Sequence, residues 1–313
     1  MPDTMRKKLQ FRQADGTRRL TPMLRALKAL HDASMPDGLS LEELERRRRG
    51  QDLLGRIAAP HAGLSWKEFT VGRLPAAWIR PKEEDSGRVI LYCHGGGYTS
   101  GNLGYSQMLG SRMAQAGKTS VFCFEYRLAP EHPYPAALSD ALFAWNYLML
   151  TGRRACDIIL AGDSAGGNLA LALCHRLRTA RRSLPGALVL MSPWTDMTMS
   201  GASYRERADS DPMLTPEYIQ NIRDCYAGEA DLHSPYLSPL FGDFTDFPPT
   251  LIQVGGHEIL YDDAASLCEK MRQQGVSAQF EVYEEMWHVF QMFPTKSSAD
   301  ALEHIGSFLN GSC

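Results

Sequence analysis

From Val89 onward the chain alternates short apolar runs with helix-like stretches, and this alternation restricts its fold more than any other feature. Eight β-like runs fall at Ser65 to Thr70, Ala76 to Arg80, Val89 to Cys93, Ser120 to Tyr126, Asp157 to Ala161, Ala187 to Met191, Thr250 to Val254 and Ala278 to Tyr283. Helical spacing of apolar residues marks Ser106 to Ala116, Ala136 to Leu150, Asn168 to Arg182, Asp263 to Gln274 and Ser297 to Leu309 between or after them. A parallel strand pair needs a crossover long enough to hold a helix, so this order predicts an α/β fold around one mostly parallel, eight-stranded sheet flanked by helices. Runs such as Val189-Leu190-Met191, apolar at every position, suit strands buried on both faces.

Two stretches fall outside the pattern. Residues 1–60 space Leu20, Met23, Leu24, Leu27 and Leu30 helically, with no strand signal. Residues 197–248 are too long for a plain crossover and include a helix-like piece, Pro216 to Tyr226. The expected organisation is a catalytic domain of residues 61–196 and 249–313 under a helical cap built from the other two. A length of 313 residues fits one large α/β domain with such an insertion.

The strand ending at Ala161 and the helix beginning near Asn168 enclose Gly162-Asp163-Ser164-Ala165-Gly166. A strand, a sharp turn and a helix around Gly-x-Ser-x-Gly form a nucleophile elbow, in which glycines flank the serine because a Cβ would collide with neighbouring backbone. Ser164 is therefore the expected nucleophile. Upstream, His94-Gly95-Gly96-Gly97-Tyr98 closes the strand Val89 to Cys93, and its glycines expose successive N–H groups. Such a loop suits an oxyanion hole, where one donor contributes roughly 3 to 4 kcal/mol to transition-state stabilisation. It lacks the lysine and spacing of a phosphate-binding loop.

The serine needs a base that titrates near neutrality. Of nine histidines, His288 follows the last strand at the carboxyl edge, where open α/β sheets bind their ligands. His94, His132 and His175 are expected to be structural. The acid should follow the seventh strand, where Glu258 stands nearest the strand end in Gly255-Gly256-His257-Glu258. Asp262 and Asp263 are rivals whose place before an amphipathic stretch suits helix N-capping, and Asp196 is an outside candidate. Serine, acid and histidine would perform acyl transfer with no cofactor and no metal.

A net charge of −3 offers no basic field for a phosphate backbone, which argues against nucleic acid as a partner. The run Arg46-Arg47-Arg48-Arg49 is expected on a solvated helix face. Seven cysteines show no CxxC spacing, as expected of core thiols in a reducing compartment. A charged N-terminus without an apolar core, and no run of eighteen apolar residues, predict a cytoplasmic protein without stable membrane anchoring.

Taken together, His94 to Tyr98, the segment Tyr126-Arg127-Leu128-Ala129-Pro130-Glu131-His132-Pro133-Tyr134-Pro135-Ala136-Ala137, Gly162 to Gly167 and His288 resemble the bacterial hormone-sensitive-lipase family of esterases, also called family IV. The resemblance spans about residues 60 to 310. It implies an α/β-hydrolase fold with a helical cap, and an oxyanion hole from the N–H groups of Gly96, Gly97 and Ala165. It also implies a serine carboxylesterase acting on short- to medium-chain esters through an acyl-enzyme. Many relatives carry aspartate where Glu258 stands, so the extra methylene displaces the carboxylate. Tyr98, Trp194, Met213, Leu214, Tyr218 and Ile222 are candidates to line the substrate pocket. Arg127, Glu131 and Asp140, in or near the second segment, suit structural ion pairs. Homodimers along the eighth strand and its neighbouring helix are a family habit. Lactones, acetylated alcohols and arylamides use the same chemistry. A receptor without catalysis, as in the gibberellin receptors that resemble this family, lacks a working histidine, and His288 argues against that reading.

Overall fold

The computed structural model describes residue 25 and residues 40–60, 62–83 and 87–311. The helical spacing around Leu20 to Leu30, and Cys313, lie outside the described residues. The eight strands are β1 (Leu64–Val71), β2 (Leu74–Pro81), β3 (Val89–Cys93), β4 (Ser120–Phe124), β5 (Ile158–Asp163), β6 (Ala187–Met191), β7 (Thr250–Gly255) and β8 (Ala278–Tyr283). They form one sheet in the order β1-β2-β4-β3-β5-β6-β7-β8. β2 runs antiparallel to β1 and β4, and every other pairing is parallel.

Every residue of β3 to β7 is buried, as continuous apolar strands covered on both sides require. Alternate side chains point to opposite faces and divide the core in two. Val89, Leu91 and Cys93 join one cluster with α3 (Ala136–Leu150), α4 (Ala165–Thr179) and α7 (Tyr261–Gln273). Ile90 and Tyr92 join another with α2 (Leu103–Gly117) and α8 (Lys296–Gly311). Boundaries moved where local chemistry is strong. Asn102 caps α2 by accepting from the Tyr105 N–H at 3.0 Å, so the helix starts at Leu103, earlier than periodicity suggests. The elbow feeds its helix without a linker, so α4 begins at Ala165 rather than Asn168.

The stretch 197–248 holds a short helix, α5 (Ser203–Glu206), and α6 (Pro216–Ala227), which Thr215 caps through the Tyr218 N–H at 3.1 Å. Of residues 1–60, the helix α1 (Leu41–Ala58) is described; Asp52 accepts from the Gly104 N–H at the start of α2.

The basic run corrects its expectation of a solvated face. Arg46 and Arg49 are exposed, but Arg47 and Arg48 are half-buried. Arg48 forms a two-pronged pair with Glu131 at 2.6 and 3.0 Å, and donates to the carbonyls of Thr99 and Ala129 at 2.9 and 3.0 Å. The Arg47 guanidinium lies 5.1 Å from the centre of the Tyr218 ring on α6. Four consecutive arginines after an acidic stretch show no face in one dimension; helical geometry turns two of the four inward. Arg127 and Asp140 form the other expected ion pair, at 2.8 Å.

Candidate active site

Ser164 sits between β5 and α4 with φ +54° and ψ −121°, a conformation that a side chain adopts only when its surroundings enforce it. Its glycine neighbours are obligatory. A Cβ on Gly162 would strike the Gly166 carbonyl, and one on Gly166 would strike the carbonyls of Cys93 and His94. Ser164 is half-buried while its neighbours are fully buried.

The His288 Nε2 lies 2.9 Å from the Ser164 Oγ, and its Nδ1 lies 2.8 Å from the Glu258 Oε2. The other oxygen of Glu258 accepts from the Ser192 hydroxyl at 2.7 Å and the Gly255 N–H at 2.5 Å. Burial alone would push the His288 imidazole down, but the hydrogen bond and charge of Glu258, with Asp211 and Asp163 beyond, hold it above its ordinary value. Two backbone bonds join the loops that carry Glu258 and His288: Gly256 N–H to Tyr283 O at 2.8 Å and His257 N–H to Met286 O at 3.0 Å.

The rival carboxylates have other work. Asp262 accepts from the Ser203 N–H at 2.8 Å, and Asp263 accepts from the N–H groups of Thr195 and Asp196 at 2.7 and 2.9 Å. Neither caps α7, contrary to expectation; both lie inside its first turn and tie neighbouring segments to it. Burial pushes the Asp263 carboxyl up to about 8. Asp196 accepts from the backbone and hydroxyl of Thr198 and of Ser200, closing its own turn.

Asp163 is fully buried and accepts from the Tyr92 hydroxyl at 2.5 Å, the Tyr105 hydroxyl at 2.8 Å and the Gly95 N–H at 2.9 Å. The elbow thereby holds the glycine loop in place. Burial raises the Asp163 carboxyl despite these donors. Among the described residues, none accepts from the N–H groups of Gly96, Gly97 or Ala165. Ala165 is the first residue of α4, where N–H groups have no helical acceptor. His94 is buried with its ring stacked on Tyr126, centres 4.1 Å apart, and burial brings its imidazole down to about 4. His175, also buried, falls to about 4 for the same reason and rests against Phe244 and Phe247.

The pocket candidates divide. Ile222 of α6 rests on Gly97, where a Cβ would meet its Cδ1. Met213 and Tyr218 are half-buried; Met213 packs against the cluster of Met286, Trp287, Phe290 and Ala301 that surrounds the His288 turn. Leu214 is buried nearby. Tyr98 and Trp194 are buried in the core: the Tyr98 ring stacks on Tyr226 and its hydroxyl donates to Asn168 at 2.7 Å. Asn168 in turn donates to the carbonyls of Trp194 and Leu237. Sequence reasoning missed Ser192 and Asp211. Their one available signal was a polar residue just past a strand's carboxyl end, for Ser192, and an aspartate in the insertion before proline, for Asp211. Asp211 is buried and accepts from the N–H groups of Met213, Leu214 and Ile259; burial pushes its carboxyl up to about 6.

Among the described residues, no group of three or more His, Cys, Asp or Glu side chains is arranged to hold a metal ion, and no helix is long and apolar enough to cross a membrane.

A family model described as the α/β-hydrolase fold matches residues 90–292. The chain is 37% identical over 273 residues to an acetyl-hydrolase of Streptomyces hygroscopicus, covering 85% of this chain and 90% of that protein. It is 40% identical over 208 residues to an esterase of Acinetobacter venetianus, covering 66% of this chain and 68% of the other. The crystal structure of an esterase from the bacterial hormone-sensitive lipase family superposes with a TM-score of 0.87 at 33% identity, covering 94% of this chain and 99% of that one. An elbow serine, a glycine loop beside it and a histidine beyond the last strand thus sit on a matching framework: the chain belongs to the α/β-hydrolase fold family, with the esterases of the bacterial hormone-sensitive-lipase family, and is a carboxylic ester hydrolase.

Proposed function

We propose that Ser164 is the nucleophile, His288 the general base and acid, and Glu258 the carboxylate that orients and charge-balances the imidazole. The continuous hydrogen-bonded chain from Glu258 through His288 to Ser164 carries this reading. With Nδ1–H given to Glu258, Nε2 presents a lone pair to the serine hydroxyl. As the Ser164 Oγ attacks the ester carbonyl, its proton passes to Nε2, and negative charge forms on the carbonyl oxygen. The N–H groups of Gly96, Gly97 and Ala165 are its donors, fixed before the charge appears. Collapse expels the alcohol with the proton from His288. Water then attacks the acyl-enzyme by the same route and regenerates the serine. The scheme uses no cofactor or metal.

The substrates are esters of short to medium acyl chains. Ile222 resting on the glycine loop supports a restricted acyl site, and the acetyl-hydrolase among the relatives acts in that range by its name. Met213, Tyr218 and Leu214 join Ile222 in the pocket, while Tyr98 and Trp194 brace it from behind. Of the two cap segments, α1 and residues 197–248 lie together over the domain made by 61–196 and 249–313; Arg47 against Tyr218 supports that grouping. The protein is cytoplasmic, a reading supported by the six described cysteines, all free, and pairs with a second copy along β8, the last strand of the sheet.

The test is turnover of a graded panel of p-nitrophenyl esters, lactones and arylamides, with labelling by an organophosphonate. Ser164→Ala should abolish both turnover and labelling. Retention of full activity by that variant would end the proposal, and absence of labelling in the native protein would favour a binding role.

A further inference from the structure

The turn that ends β6 touches Ser164, Glu258 and the residue that follows His288. The Met191 carbonyl accepts from the Ser164 N–H at 2.9 Å, and the Trp194 N–H donates to the Ser164 carbonyl at 3.1 Å. Between them stands Ser192, fully buried and held at φ +49°. Its hydroxyl lies 2.7 Å from the Glu258 Oε1 and 3.1 Å from the backbone nitrogen of Val289, the residue after His288. Its own N–H donates to the Gln253 carbonyl of β7 at 2.7 Å.

The direction of these bonds is forced. A carboxylate can only accept and a backbone N–H can only donate, so the single hydroxyl proton goes to Glu258 and the oxygen accepts from Val289. Oε1 is therefore occupied by Ser192 and Gly255, which leaves Oε2 turned to the imidazole. The Ser192 hydroxyl oxygen thus stands between Glu258 and the turn that carries His288.

We infer that Ser192 is a positioning residue for ester hydrolysis: its hydroxyl, braced by the Val289 N–H, fixes the orientation of the Glu258 carboxylate toward His288. The inference rests on the proposed roles of Ser164, His288 and Glu258. Removing the hydroxyl leaves Oε1 with one donor and a buried N–H at Val289 without its acceptor. A lost bond to a charged group then corresponds to a kcat lower by about 10- to 100-fold, with KM little changed because no substrate contact is lost.

The experiment compares Ser192→Ala and Ser192→Gly, each alone and combined with Glu258→Gln, by kcat and KM on p-nitrophenyl acetate and by thermal unfolding. Glycine tolerates the positive φ and guards against a backbone artefact. The expected result is a kcat loss of about 10- to 100-fold in both single variants, and less than about threefold further loss in the Glu258→Gln background, since Ser192 acts through that carboxylate. A loss that simply multiplies in the double variants makes the hydroxyl a structural prop and overturns the inference. So does full activity of both single variants, a change confined to KM, or failure of both to fold. Should Ser164→Ala stay active, the catalytic reading itself fails, and that outcome is read without any Ser192 variant.

Discussion

Replacing Glu258 by glutamine changes one atom at the most enclosed point of the site, and the surroundings dictate how the new amide sits. Oε1 receives two donors, the Ser192 hydroxyl and the Gly255 N–H, so the amide oxygen takes that place. The NH2 group then faces the His288 Nδ1, which must turn from donor to acceptor. The imidazole proton moves to Nε2 and points at Ser164, so the ring can no longer accept the serine proton. The same tautomer error in a serine protease lowers kcat by about 10⁴-fold, or roughly 5 kcal/mol of barrier, and a loss of that order is expected here. A second signature is the acid limb of the pH profile. Activity needs neutral His288 and fades as pH falls through its pKa, which Glu258 holds above the ordinary 6.5. Without the carboxylate charge, burial dominates and the acid limb moves to lower pH. The assay is kcat/KM on p-nitrophenyl acetate from pH 5 to 9, with circular dichroism to verify folding. A loss under tenfold, or an acid limb that stays in place, would refute the reasoning.

Two further outcomes follow from the packing. The Asp263 carboxyl titrates near 8 folded against an ordinary 3.8, so the folded state holds an extra proton between those values and this group's contribution to stability falls as pH rises through that window. Asp263→Asn removes the dependence: urea unfolding should show its stability relative to the native protein growing from pH 5 to pH 9, and a constant difference would contradict the assignment. Ile222→Ala opens space above Gly97, so the kcat/KM ratio of p-nitrophenyl octanoate to acetate should rise by about tenfold or more, on the scale of discrimination per methylene. A ratio that stays flat places Ile222 outside the acyl site.

The strands, the helix positions and the meeting of Ser164, Glu258 and His288 were legible because each leaves a local mark. The run Thr250 to Val254 announces a buried strand, Gly162 and Gly166 announce a turn that tolerates no Cβ, and His288 lies where an α/β sheet opens. Arg47 and Arg48 were misread because a charge run shows composition but not which helix face meets a neighbour. Asp262 and Asp263 were misread because acids at a helix start suit capping, and only the fold brings Ser203, Thr195 and Asp196 within their reach. Ser192 was missed because its partners lie 66 and 97 residues away in the chain.

The backbone explains why such residues escape sequence reading. Among the described residues eight other than glycine have positive φ, and four of them, Tyr98, Ser164, Ser192 and Val289, belong to the glycine loop, the elbow, the turn after β6 and the turn at His288. Each conformation costs about 1 kcal/mol or more, so each persists only where the surroundings fix it. Here the fixing bonds are mutual. Ser164 hangs on Met191 and Trp194, Val289 hangs on Ser192, and Ser192 hangs on Gln253 and Glu258. Glycine at these positions would ease the backbone, but it would remove the Ser164 hydroxyl that meets His288 at one and the Ser192 hydroxyl that holds Glu258 at another. The strain is the consequence of placing functional side chains at turns that glycine would otherwise fill. Left-handed serines at strand ends are therefore the residues to probe first when the catalytic chain alone does not account for the rate.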